Sequence, residues 1–117
     1  MPRAATSERL VGAAPLFTAL GDETRLRIVS RLAREGPLSI TRLTDGTELS
    51  RQAISKHLRV LADAGLARGR RCGREQIWQI EARRLRDARR CLGEISAQWD
   101  EAIIRLRRLV EQDSPED

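Results

Sequence analysis

The basic residues of this chain are unevenly placed. Between Ser50 and Arg74 lie Arg51, Lys56, Arg59, Arg68, Arg70, Arg71 and Arg74, with Asp63 as the only acid, so this segment carries +6. The remaining residues hold fifteen basic and sixteen acidic side chains, and the whole chain carries +5. A basic patch concentrated on a folded domain is the electrostatic footprint of a polyanion site. The neighbouring side chains suit one polyanion in particular. A guanidinium bonds guanine O6 and N7 in bidentate fashion, a Gln amide does the same to adenine N6 and N7, and a hydroxyl bonds base or phosphate. Arg51, Gln52 and Ser55 supply these groups close together, with Ser50, Lys56 and Arg59 beside them.

Other chemistry is sparse. His57 is the only histidine, and Cys72 and Cys91 match no CxxC spacing. Zinc takes four N, S or O ligands and soft metals take thiolates, so no metal site and no cofactor are expected. There is no paired nucleophile and base and no phosphate-cradling glycine loop, which argues against an enzyme. Two readings of the thiols stay open. Cys72 and Cys91 are incidental, or they serve redox or thiophilic sensing from among their neighbouring arginines.

These groups need a scaffold, and 117 residues make one small domain, residues 1–117. With one Phe and no Tyr, the core must be built from Leu, Ile, Val and Ala. No long apolar run suggests a signal or membrane-spanning segment, so a reduced, cytoplasmic setting without membrane contact is expected. The ends, Met1–Thr6 and Gln112–Asp117, read as frayed.

The stretch "LSRQAISKHLRVLADAG", Leu49–Gly65, reads as a helix capped by Ser50 and closed by Gly65. At 100° per residue, Ala53, Ile54, His57, Leu58, Val60, Leu61 and Ala64 fall in one apolar arc. Arg51, Gln52, Ser55, Lys56 and Arg59 fall opposite. An ordinary solvated face mixes acids with bases at i,i+4, whereas this one has no acid before Asp63. His57 is expected to be packed and hydrogen-bonded.

Three helices are expected before it. The first runs from about Glu8 to Leu20, with Pro15 limiting its regularity. "GDETRLRIVSRLAREGP" follows, with Asp22 as cap, Leu26, Val29 (with Ile28) and Leu32 as stripe, and Gly36-Pro37 as stop. "LSITRLTDG" is a short helix with Leu38, Ile40 and Leu43 inward. After it, "LARGRR" and "EQIWQI" read as strands of a hairpin turning at "CGR", with Arg70, Arg71 and Arg74 at its tip.

From 83 to 111 the chain reads as one long helix, roughly 40 Å at 1.5 Å per residue. Leu85, Ala88, Leu92, Ile95, Trp99, Ala102, Leu106 and Leu109 alternate steps of three and four, a heptad seam. So long a seam outreaches a core of this size and calls for a homodimer. The expected fold is mainly α with a small β-hairpin wing: four helices, two strands and a fifth helix, in a dimeric winged helix-turn-helix. Residues 38–64 form the helix-turn-helix, 66–80 the wing, and 7–20 with 83–111 the dimerisation helices.

With these motifs in place, the chain resembles the ArsR/SmtB family of winged-helix repressors. "LGDETRLRIVSRL" looks like the family's second-helix signature and "LSRQAISKHLRVLADAGL" its recognition helix. "GRRCGREQIWQI" is similar to its wing, with Trp78 where Tyr is commoner. "ISAQWDEAIIRL" resembles the last helix of a metal-independent subgroup. The resemblance implies a homodimeric repressor, joined through its first and last helices. It further implies a palindromic double-stranded DNA operator and, often, control of the protein's own operon. One metal site of the family uses Cys-x-Cys in the segment that here reads "LSITRLTDG", and another uses His and acids on a last helix that here has no His. Neither can form. The alternatives are a thiol-, redox- or arsenic-responsive repressor using Cys72 and Cys91, and a winged-helix module that binds protein.

Overall fold

The computed structural model describes the backbone of residues 3–113 and the side chains of residues 8–112. In chain order its elements are α1 (Arg3–Gly12), α2 (Ala14–Leu20), α3 (Glu23–Glu35), β1 (Leu38–Ser39), α4 (Ile40–Thr44), α5 (Arg51–Asp63), β2 (Ala67–Cys72), β3 (Glu75–Ile80) and α6 (Ala82–Asp113). The expected first helix, Glu8–Leu20, is thus two helices broken at Ala13. Pro15 lies in the first turn of α2, where its missing N–H is harmless. In a continuous helix its ring would strike the carbonyl four residues back. Arg3–Thr6, expected to fray, belong to α1, and Gln112 and Asp113 extend α6. The other terminal positions expected to fray, 1–2 and 114–117, lie outside the described residues.

Asp22 caps α3, its carboxylate accepting the Arg25 N–H at 3.0 Å, and Gly36 ends the helix with φ 85°. Ile28, Val29 and Leu32 are buried. Leu26, placed in the stripe by the sequence, is 51% exposed. Arg25 takes the inward position instead, donating to the carbonyls of Ala19 and Thr18 that close α2.

Leu38 and Ser39 do not open a helix. They form a strand paired antiparallel to β3 (Leu38 with Trp78, Ser39 with Ile77), giving a three-stranded sheet in the order β1-β3-β2. The apolar spacing of Leu38, Ile40 and Leu43 fits a helix or a strand leading into one, and the open edge of β3 decides. Ser39 then caps α4 by accepting the Arg42 N–H at 3.1 Å. Burial of Leu38 and Leu43 satisfies both elements.

Leu16, Leu43, Ile54, Leu58, Leu61 and Leu66 are fully buried, drawing α2, α4, α5 and the approach to β2 into one core. Only the start of α6 joins them, through Leu85, Ala88 and Cys91. The rest of this 32-residue helix, about 48 Å long, runs beyond the core. The radius of gyration is 20.0 Å, against about 13 Å for a compact domain of this length.

Candidate nucleic-acid interface

Helix α5 is set by its two ends. Ser50 Oγ accepts the Ala53 N–H at 3.1 Å. At the other end Gly65 takes φ 78° while Leu66 N–H bonds Leu61 O and Gly65 N–H bonds Ala62 O. Those two bonds and the left-handed glycine form a Schellman motif. Ile54, Leu58 and Leu61 then hold the helix to the core. Val60, at the edge of the apolar arc, is 39% exposed rather than packed.

The opposite face stands bare. Arg51, Gln52, Lys56 and Arg59 are exposed and Ser55 is half-buried. Arg51 departs from a free groove-facing side chain, because its Nη1 donates to Thr41 Oγ1 on α4 at 3.1 Å. Thr41 lies ten residues away in sequence, so no local spacing pointed to this contact.

His57 sits half-buried on the inner side of α5. Its Nδ1 is 3.4 Å from Arg25 Nη1 and 3.8 Å from Asp22 Oδ2. The same Arg25 closes α2, so one guanidinium ties α2, α3 and α5 together. The Asp22 carboxyl is held below its ordinary range, first by the Arg25 backbone N–H and then, against some desolvation, by the charges of Arg25 and His57.

The hairpin after α5 turns in two residues, Gly73 and Arg74, between the paired Cys72 and Glu75. Gly73 has φ 63°, as the first position of a type II′ turn requires. Cys72 therefore ends a strand rather than sitting in the turn, and Arg70 and Arg71 lie in β2 below the tip. Because side chains alternate along a strand, Arg70 and Arg71 point to opposite faces. Arg71 shares its face with Gly69, Trp78 and Gln76. A Cβ at Gly69 would come within 3.1 Å of the Trp78 ring, so the glycine makes room for the indole. Arg71 and Arg74 line a cleft whose other wall carries Arg51 and Thr41. Arg70 and Cys72 occupy the other face with Ile77.

Charge compensation reaches only five of the described arginines, and those of the candidate interface are not among them. Arg68, at the base of β2, lies 3.7 Å from Glu81, and Arg9, Arg27, Arg31 and Arg84 each have a carboxylate partner. Among the described residues, no ion pair involves Arg51, Lys56, Arg59, Arg70, Arg71 or Arg74.

The heptad seam of α6 divides. Leu85 and Ala88 pack on the chain's own core, and Ile95 and Ala102 are half-buried. Leu92, Leu109 and the rest of the outward stripe are exposed, Trp99 to 65% and Leu106 to 61%. Ile103 and Val110 widen this bare stripe. The two thiols are in unlike places. Cys72 is exposed on the wing, whereas Cys91 is buried and lines a pocket with Leu16, Arg9, Arg84 and Arg90. Among the described residues no three His, Cys, Asp or Glu side chains gather into a metal-holding group, and no helix is long and apolar enough to cross a membrane.

A helix held by its inner face, an adjoining short helix and a basic hairpin define a winged helix-turn-helix. The sequence profile of a helix-turn-helix domain matches residues 20–70. An HTH-type transcriptional regulator of Mycobacterium tuberculosis is 34% identical over 97 residues, spanning 83% of this chain and 87% of that protein. The solved structure of an ArsR-like transcriptional regulator from a Rhodococcus species superimposes with a TM-score of 0.69 at 34% identity, covering 96% of this chain and 99% of that one. The arsenic resistance transcriptional regulator of Pseudomonas putida is 44% identical over 65 residues. That match takes in 56% of this chain and about half, 51%, of the Pseudomonas protein. The chain belongs to the ArsR family of winged helix-turn-helix transcriptional regulators, whose members here are regulators rather than enzymes.

Proposed function

We propose that this regulator is a metal-independent repressor that binds a palindromic operator as a homodimer and controls its own operon. The observation that carries it is the acid-free, unpaired face of α5 standing beside the unpaired arginines of the hairpin. A recognition helix enters the major groove with its N-terminal residues on base edges, and a basic hairpin beside it meets backbone or minor groove. Gln52, Ser55, Lys56 and Arg59 lie on that exposed or half-exposed face, with Ser50 at its start. The homodimer is supported by the bare stripe of α6. An apolar surface of this extent on a single chain marks an interaction site, and Trp99, Leu106 and Leu109 repeat at heptad spacing along it.

A second reading concerns the signal. Cys91 is a buried thiol lining a pocket with Arg9, Arg84 and Arg90 and with the carboxylates of Asp87 and Glu94, which pair with Arg84 and Arg9, close to where α1 and α2 meet α6. Oxidation or a thiophilic arsenical there would alter that packing and, through α6, the spacing of the two recognition helices. The test for both is footprinting on the DNA upstream of the protein's own gene, with and without hydrogen peroxide or arsenite. A symmetric footprint from a dimer supports the repressor, and no protection at physiological salt sinks it. Release by peroxide or arsenite that is lost in Cys91→Ser supports the sensor. Unchanged binding leaves a repressor without thiol control.

A further inference from the structure

We infer that Arg51 is a backbone clamp and not a base reader: with Arg71 and Arg74 across the cleft it grips a single phosphate of the duplex, leaving Gln52, Ser55 and Arg59 to meet the bases. The inference rests on the DNA-binding role proposed above and assigns the parts within it.

Three observations converge. The Thr41 hydroxyl, 3.1 Å from Nη1, draws the Arg51 guanidinium toward α4 and away from the centre of the groove-facing side. Arg51, Arg71 and Arg74 line the same cleft of about 210 Å³, where Glu75 is the only acid. None of the three makes an ion pair among the described residues. Three guanidiniums against one carboxylate leave an excess of positive charge that an anion between helix and hairpin would neutralise. A guanidinium fork matches the geometry of phosphate oxygens. Arg51 also begins α5, whose first N–H groups have no partner within the helix and whose dipole favours a negative group at that end. Arg70 points from the opposite face of the hairpin to Arg71 and does not line the cleft. The sequence placed Arg70 and Arg71 together, and the pleat parts them.

The test uses the full chain and a duplex that it selects from a random-sequence pool, alongside a scrambled duplex. Arg51→Ala is expected to lower affinity about tenfold for both duplexes, leave every base preference unchanged, and reduce the salt slope by at most about 0.9. Combined with Arg71→Ala it loses less than the product of the two single losses. Combined with Arg70→Ala it loses the full product. Neutral methylphosphonates walked along the selected duplex should reveal one position where wild type loses most and where Arg51→Ala loses clearly less, because part of that contact is already gone. Relaxed preference at one base pair with an unaltered salt slope would overturn the clamp. So would methylphosphonate losses that are equal in wild type and Arg51→Ala at every position. Failure of the underlying DNA-binding role looks different: wild type then selects no sequence, and Gln52→Ala changes nothing either.

Discussion

Helices α5 and α6 are amphipathic in the same three-four rhythm, and their exposures are inverted. In α5 the apolar face is covered by its own chain, with Leu58 and Leu61 wholly out of water, while the polar face is bare and unpaired. In α6 the apolar face past Cys91 is the bare one. A periodic stripe states that a helix needs a partner surface but not where that surface comes from. For α5 it comes from α2, α3 and α4, folded close by. For α6 only the first turns reach that core, because 1.5 Å of rise per residue carries the remainder beyond it. One helix thus offers polar groups to something outside, and the other offers apolar area.

The largest effect expected from breaking this contrast is on assembly. Trp99→Asp should turn a sedimenting dimer into a monomer, since losing a central aromatic anchor costs about 4 kcal/mol or more and the new carboxylate resists burial. Because Trp99 is bare in the single chain, the helical circular dichroism should survive, and an intact dimer would refute the seam. Leu58→Ala should act oppositely, lowering unfolding stability by about 2–5 kcal/mol in urea titrations. Gln52→Ala should leave melting untouched and cost about 1–3 kcal/mol of discrimination at one base pair, read by competition between duplexes. Ser50→Ala should cost about 1 kcal/mol of stability by removing the α5 cap, seen as a lower melting temperature.

The smallest effect is on pH dependence. The Asp22 carboxyl is held below its unfolded value, so the stability it contributes is present above that value, about 4, and is lost as pH falls through the lower folded one. Asp22→Asn should therefore flatten the loss of stability between pH 5 and pH 2. Equal slopes in acid denaturation of the two proteins would contradict the linkage.

Much of the fold was legible because its signals are local. Asp22 and Ser50 before apolar periodicity, Gly36 and Gly65 after it, and Gly73 between two strand patterns each act within a few residues of themselves. The misreadings share a different cause. Leu26 and Arg25 are adjacent, and only the placement of the α2 carbonyls and His57 turns the arginine inward. Leu38 and Ser39 became a strand because β3, forty residues away, offered an unpaired edge. Pro15 is the exception: it is a local signal, whose ring clash four residues back ends α1 and opens α2. Of the candidate site, the bare face of α5 followed from the wheel, whereas the Thr41 contact and the separation of Arg70 from Arg71 did not.

By itself the amino-acid sequence determined the element types apart from β1, the acid-free face, the basic hairpin and the unsatisfied seam, since these depend on neighbours within two helical turns. The tertiary structure alone decided which arginines share a cleft, where His57 finds its partners, and how much of the seam the chain covers itself. Those outcomes are set by distances between segments far apart along the chain, which no periodicity within one segment records.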